Sequence, residues 1–369
     1  MNVFSPSDLV RPDIAGMEPY TPILPFEVLS AQLGRRPQAI TKLDANENPY
    51  GPSPAVLAAI ASGSWYHIYP DPESRDLCAA LSGHLQVPAA RLLAGMGADE
   101  LIDLILRALL SPGDVVINCP PSFGMYPFST AVNGGQTVNI PRRPDFSLDV
   151  TAVESAVAQQ PKAKVLFLCS PNNPDGSMIP AADLRRLLQL PLLIVLDEAY
   201  IEFAAVDGER SRFAWALEQD NLVVLRTFSK LAGLAGLRIG YGIFPAWLLR
   251  HLWKIKQPYN VNVAASLAAL AALREPAWMQ EKVQIIVQER ERMVAELARF
   301  AILQPYPSHS NFVLFRVNGC SAAQLKKDLA AEGVLVRYFD KPGLDNCIRI
   351  SAGRPVDTDR LLAALEKIL

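Results

Sequence analysis

At 369 residues and 40.3 kDa, half hydrophobic and one fifth charged, the chain has an ordinary globular composition with room for one large core and a smaller second unit. A formal net charge of −2 and the lack of any basic block give no electrostatic reason to expect nucleic acid or an anionic membrane as partner. No apolar run approaches the ~20 residues of a membrane span. The N-terminus lacks the charged start and apolar core of a signal peptide, and four histidines, none paired at ligand spacing, argue against zinc. Five scattered cysteines (Cys78, Cys119, Cys169, Cys320 and Cys347), mostly inside apolar runs, read as buried small hydrophobes in a reducing compartment. A soluble, cytoplasmic protein is the expectation.

In chain order, residues 1–40 are punctuated by proline and weakly periodic, as in an arm or packing segment. The spacing predicts helices over 54–62, 74–85 and 97–110, the last with an apolar face of Leu101, Ile102, Leu104, Ile105 and Leu109. Between and beyond them lie short apolar runs at 114–120, 164–170, 191–200 and 221–229. Unbroken apolarity, rather than alternation, predicts strands buried on both faces, hence a parallel sheet covered by helices. A long amphipathic stretch at 277–300 leads into a closing unit of strand (311–317), helix (321–333) and two strands (334–339 and 347–351). The expected division is an N-terminal arm and part of the small unit to residue 40, a large unit over 41–264 and a small α+β unit over 265–369. Two units of this kind place a ligand between them, at the carboxyl ends of the large sheet's strands.

Those strand ends carry the polar residues. The run at 221–229 delivers Ser229 and Lys230 into a glycine-punctuated turn, with Arg238 eight residues on. A lysine leaving a buried strand is disposed to be a neutral nucleophile, and a hydroxyl with a fixed positive charge is what a phosphate needs. Together they point to an aldehyde cofactor carrying a phosphate, pyridoxal phosphate held as a Schiff base. The string alone also fits a solvated lysine at a junction. After 164–170 come Asn172, Asn173 and Gly176, which fit an amide aimed into a cleft or a plain turn. After 191–196 comes Asp197, then Glu198, Ala199 and Tyr200. A carboxylate there could hold a pyridine nitrogen protonated, or serve as a structural ion pair or helix cap. Gly97, Ala98 and Asp99 open a helix whose free amides suit a phosphate, although Asp99 also reads as an ordinary N-cap. Phe123 could stack on a flat ring or belong to the core. Taken together, in order at successive strand ends, these groups make coincidence the weaker explanation.

At that point the chain resembles the fold-type I pyridoxal-phosphate aminotransferases, and within them the histidinol-phosphate aminotransferases. The resemblance runs nearly end to end, through LDANENPYGPSP (43–54), YPDP (69–72), GADELIDLILR (97–107), PSFGMY (121–126), SPNNPDG (170–176), LDEAYIEF (196–203), RTFSKLAGLAGLRIGY (226–241), SNFVLFR (310–316), VLVRYF (334–339) and IRIS (348–351). It implies a mostly parallel seven-stranded sheet flanked by helices, plus a smaller α+β domain. It implies that Lys230 bonds the cofactor aldehyde, that Asp197 pairs with the ring nitrogen, that Asn173 and Tyr200 bond the ring oxygen, and that Phe123 stacks on the ring. Ala98, Asp99, Ser229 and Arg238 would hold the phosphate, joined by Tyr69 from the other subunit of a homodimer. Arg337 and Arg349 resemble the substrate-anion arginines, and Tyr20 in the arm would close over substrate. The implied substrates are histidinol phosphate and 2-oxoglutarate, with glutamate as product. Two departures stand out. Asp175 replaces the usual threonine and would add a negative charge near an anion-binding cleft, and Phe123 replaces the tyrosine of many members.

The same scaffold could serve a broad aromatic aminotransferase or a threonine-phosphate decarboxylase, which must orient a carboxylate that histidinol phosphate lacks. A non-catalytic regulator with this fold would need an added DNA-binding segment, for which the chain has no spare residues.

Overall fold

The structure is a computed structural model, and it describes residues 6–20, 24–208 and 210–369. Residues 1–5 and 21–23 of the expected arm lie outside the described residues. The strands are β1 (Thr41–Leu43), β2 (Leu92–Gly95), β3 (Val115–Asn118), β4 (Gln136–Asn139), β5 (Ala163–Cys169), β6 (Leu193–Asp197), β7 (Leu222–Thr227), β8 (Gly240–Ile243), β9 (Leu303–Pro305), β10 (Phe312–Val317), β11 (Val334–Tyr338) and β12 (Cys347–Ser351). Seven of them form one sheet in the order β2-β8-β7-β6-β5-β3-β4. The pairs from β4 to β7 are parallel, and β8 runs antiparallel to both β7 and β2.

The unbroken apolar runs are buried on both sides because successive side chains feed two different cores. Leu166, Leu168, Ile194, Leu196, Leu222 and Val224 pack on one face with the helices Arg75–Leu85 and Val263–Leu273. Val165, Phe167, Val195, Val223 and Leu225 pack on the other with the helices Gly97–Leu109 and Ala246–Ile255. The register sets Cys169 beside Asp197, and Thr227 beside Gly240, which itself pairs with Gly95. One edge therefore collects the exits of β2, β5, β6 and β7.

The second sheet has the order β1-β11-β12-β10-β9 and packs against the helices Pro276–Leu297, Ala322–Ala331 and Pro355–Ile368. Two elements sit differently from the sequence division. Thr41–Leu43 pairs in parallel with Val334–Val336, so the chain begins its ordered sheet structure in the smaller unit and only then crosses to the larger. The helix Val263–Leu273 puts Ala265, Ala268, Ala269 and Ala272 into the large core, because a face of alanines lets it lie close to its neighbours. No described helix is long and apolar enough to cross a membrane.

Candidate active site

The exit of β2 turns at Gly97, whose φ of +75° suits glycine, into the helix Gly97–Leu109. Space there is already taken. A Cβ on Gly97 would lie 2.7 Å from Arg238 Nη2, and one on Gly240 would lie 2.7 Å from the Ala98 nitrogen. Two glycines thus let the helix start press against β8 while Arg238 closes over it. Arg238 Nη2 donates to Asp99 Oδ2 at 2.9 Å. The N-cap alternative for Asp99 does not hold. Its carboxylate goes to Arg238, and Glu100 Oε2 reaches back to the Met96 N–H at 2.6 Å. Only the backbone of Asp99 is left to face an anion. Ser229 is buried, and its hydroxyl makes no hydrogen bond to another described residue. Free amides, a helix dipole, a guanidinium and an open hydroxyl make a cradle that fits a phosphate.

Asp197 ends β6 fully buried, and among the described residues no cation pairs with it. Tyr126 Oη donates to its Oδ2 at 2.8 Å and the Ala199 N–H to its Oδ1 at 3.0 Å. Burial raises its pKa to about 6 against these two donors. Tyr126 is itself wholly buried, stacked on Phe167 at 4.8 Å and edge-on to Phe123 at 5.5 Å. Phe123 is half-buried, which leaves ring surface for a ligand. An unpaired buried acid beside an available aromatic face fits a protonated pyridine ring.

Lys230 is half-buried rather than solvated, its Nζ donating to the Ala45 carbonyl at 3.2 Å and lying 5.8 Å from the Tyr200 ring centroid. Burial first, then Arg349, lowers its pKa to about 8, so a neutral nucleophilic amine is accessible near physiological pH. Arg349 is buried on β12. It donates from Nη1 to Asn173 Oδ1 and from Nη2 to the Asp44 carbonyl at 2.7 Å, while its Nε has no partner. Burial brings its pKa down to about 10, with the Tyr200 phenol opposing and Arg337 adding to the fall. Arg337 is the cross-strand neighbour of Arg349, and both face the Phe339 ring. A buried guanidinium with an orphaned N–H is suited to an incoming anion.

The turn after β5 divides its labour. Asn173 faces Arg349, whereas Asn172 is structural, bonded to Ser122, to the Pro121 carbonyl and to Asp175. Gly176, at φ +82°, has no room for a side chain against Ser308. The Asp175 carboxylate is turned into this same turn, where Asn172 Nδ2 and the Ser177 N–H donate to it. It is therefore a turn-closing group, not the open negative charge at the cleft expected from sequence.

Tyr20 is 43% exposed, packs edge-on to Phe128 at 6.0 Å and is among the groups acting on the charge of Arg349. Tyr69 is 78% exposed and stacked on Tyr259 at 4.7 Å. Sequence reasoning missed Tyr126 and Asn46. Tyr126 lies three residues after Phe123, at the start of the helix Met125–Val132, and its ring meets that of Phe123 edge-on. Asn46 sits in the LDANENP motif, and only the fold brings it to Tyr200.

The profile of the family "Aminotransferase class I and II" matches residues 38–365. The chloroplastic histidinol-phosphate aminotransferase of Nicotiana plumbaginifolia is 51% identical over 97% of this chain and 86% of its own length. That of Roseiflexus castenholzii is 50% identical over 98% of both. The crystal structure of histidinol-phosphate aminotransferase from Sinorhizobium meliloti in complex with pyridoxal-5'-phosphate superposes with a TM-score of 0.89, at 31% identity over 100% of this chain and 98% of that one. With a site that accommodates that cofactor's phosphate, ring nitrogen and aldehyde, the chain belongs to the class I and II aminotransferases, in the histidinol-phosphate aminotransferase group.

Proposed function

We propose that the protein moves an amino group between L-histidinol phosphate and 2-oxoglutarate, giving imidazole acetol phosphate and L-glutamate in histidine biosynthesis. The observation that carries this reading is that an unpaired buried acid, a lysine of lowered proton affinity and a buried arginine whose Nε has no partner lie close enough to act in turn on one another's charge. The relatives' names supply the substrate, and the chemistry of the cleft accommodates it.

The chemistry supplied by pyridoxal phosphate, when bound, is an electron sink that acidifies the carbon carrying the amino group. Lys230 Nζ would be the covalent anchor, and its lowered pKa suits it to take up and return a proton. Asp197 would keep the ring nitrogen protonated, with Tyr126 and the Ala199 amide fixing its two oxygens. Asn173 and Tyr200 would orient the ring through its oxygen, and Phe123 would cover one face. Ala98, Asp99 through its backbone, Ser229 and Arg238 would grip the phosphate. Arg349, with Arg337 beside it, would hold either the substrate phosphate or a glutamate carboxylate, because a planar fork can grip both. Tyr20, partly exposed and packed on Phe128, would close over the bound substrate.

Tyr69 is assigned to the partner's phosphate in a homodimer. Its support is the exposure of Trp65, Ile68, Tyr69 and Tyr259, large apolar side chains that a second subunit would cover. Mixing inactive Lys230→Ala chains with inactive Tyr69→Phe chains is expected to restore activity in hybrid dimers; full activity in a stable monomer would remove the shared site.

A substrate panel tests the function. Histidinol phosphate should be turned over with at least about ten-fold higher kcat/KM than phenylalanine, since an unfilled anion site costs more than a lost apolar contact. Equal turnover of phenylalanine would make this a broad aromatic aminotransferase, and carbon dioxide release from threonine phosphate would make it a decarboxylase.

A further inference from the structure

Three consecutive residues that leave β1 reach three polar groups of the site. The Asp44 carbonyl accepts from Arg349 Nη2 at 2.7 Å, the Ala45 carbonyl from Lys230 Nζ at 3.2 Å, and Asn46 Nδ2 donates to Tyr200 Oη at 3.2 Å. Asn46 is held from the other side by the small sheet. Its N–H donates to Ser351 Oγ at 2.9 Å, that hydroxyl donates to Asn46 Oδ1 at 3.0 Å, and Asn311 Nδ2 donates to the Asn46 carbonyl at 3.0 Å. The Ser351 hydroxyl accepts from the backbone and donates to Oδ1, and with Oδ1 held there Nδ2 is turned toward Tyr200. The backbone there is left-handed, φ +54°, a conformation asparagine tolerates better than most residues.

Tyr200 Oη thus receives a proton donor from Asn46, and its own proton is left to be given elsewhere. The ring is edge-on to Phe312 at 5.1 Å, and the charged or titratable groups facing the phenol are Arg349, Lys230, Asp197 and Cys169. We propose that Asn46 is a positioning residue for the reaction: its amide commits the Tyr200 hydroxyl to donate to the cofactor's ring oxygen, and so ties the small sheet to the proton-transfer groups. This rests on the reading that Lys230 and Tyr200 hold pyridoxal phosphate. A phenol that accepts one hydrogen bond donates a stronger one. Donation to the ring oxygen favours its anionic form, so the bound chromophore should lose its proton at a lower pH with Asn46 in place than without it.

The test is a spectrophotometric pH titration of the bound cofactor in holoenzyme carrying Asn46→Gly, Tyr200→Phe, or both. Glycine suits the left-handed backbone and keeps the N–H and carbonyl contacts to Ser351 and Asn311. Asn46→Gly is expected to raise the midpoint by about half to one pH unit, the size of one ordinary hydrogen bond. Tyr200→Phe should raise it further, and the double variant should match Tyr200→Phe alone. An unmoved midpoint in Asn46→Gly overturns the proposal, as does a shift that persists at full size without the Tyr200 hydroxyl. Should Asn46→Gly fail to fold, Ser351→Ala removes the group that orients the amide. It is expected to move the midpoint the same way by about half as much, and no movement overturns the proposal. A purified protein with no visible chromophore at Lys230 would instead bring down the functional reading itself, before any variant is compared.

Discussion

Asp197 and Glu198 are sequence neighbours, both buried, and the fold treats them in opposite ways. Glu198 accepts from the Ser211 hydroxyl and from the Arg212 N–H at 2.7 Å, and lies 3.8 Å from Arg226 Nη1. Arg226 in turn pairs with Glu202. Asp197 meets a neutral phenol and one backbone amide. Both carboxyls are raised by burial, Asp197 to about 6. The difference teaches where a ligand belongs. A buried charge is ordinarily compensated by its own protein, as Glu198 is. One left uncompensated at a strand exit is open to a cation that a ligand brings, the role proposed for Asp197.

Substitution of each acid should separate the two roles. Asp197→Asn is expected to lower kcat by roughly 10²–10⁴-fold, since a neutral amide cannot hold a pyridine nitrogen protonated. In the same variant the cofactor-free protein should gain about 1–3 kcal/mol at pH 8, because a desolvated charge has been removed. Denaturant unfolding of the apoprotein reads this directly. Glu198→Gln should leave kcat per folded molecule within about three-fold, because Glu198 belongs to the Arg226, Ser211 and Arg212 network. If Asp197→Asn destabilised and Glu198→Gln abolished turnover, the contrast drawn between them would be inverted.

The smallest effect is a pH dependence that sharpens the same contrast. The folded-state pKa of Asp197, about 6, lies above its ordinary value of 3.8, so the native state holds this proton more tightly than the unfolded chain. Its contribution favours the fold below the ordinary value and is lost as pH rises toward 6. The stability advantage of Asp197→Asn should therefore be small near pH 4, grow across that window and level off above it. Paired unfolding curves of the two apoproteins at several pH values check this, and an advantage that shrank with rising pH would contradict it.

How much of this was legible in the sequence follows from how local each signal is. β5, β6 and β7 are unbroken apolar runs, and the polar residues at their exits stand out against them, so Asp197 and Lys230 could be found by position alone. β2 and β8 were not. LLAG and GYGI are too short, and their glycines lower strand propensity, yet Gly240 is what lets the helix start approach β8. Asn46 carries no local mark of its role. It reaches Tyr200 because β1 pairs with β11 from the far end of the chain, a register that no window of sequence contains. Asp175 and Asp99 were legible as acids near the cleft, but not in where their carboxylates point. Neighbouring donors, Asn172 and Arg238, settle that.

The central claim is that Lys230, with its amine of lowered proton affinity, is the group that takes the cofactor. Borohydride reduction of the holoenzyme followed by peptide mapping tests it most directly. The visible absorbance should bleach, and the pyridoxyl mass should appear on the peptide carrying Lys230 and be absent from Lys230→Ala. A label on any other lysine, or a label that survives Lys230→Ala, would contradict it.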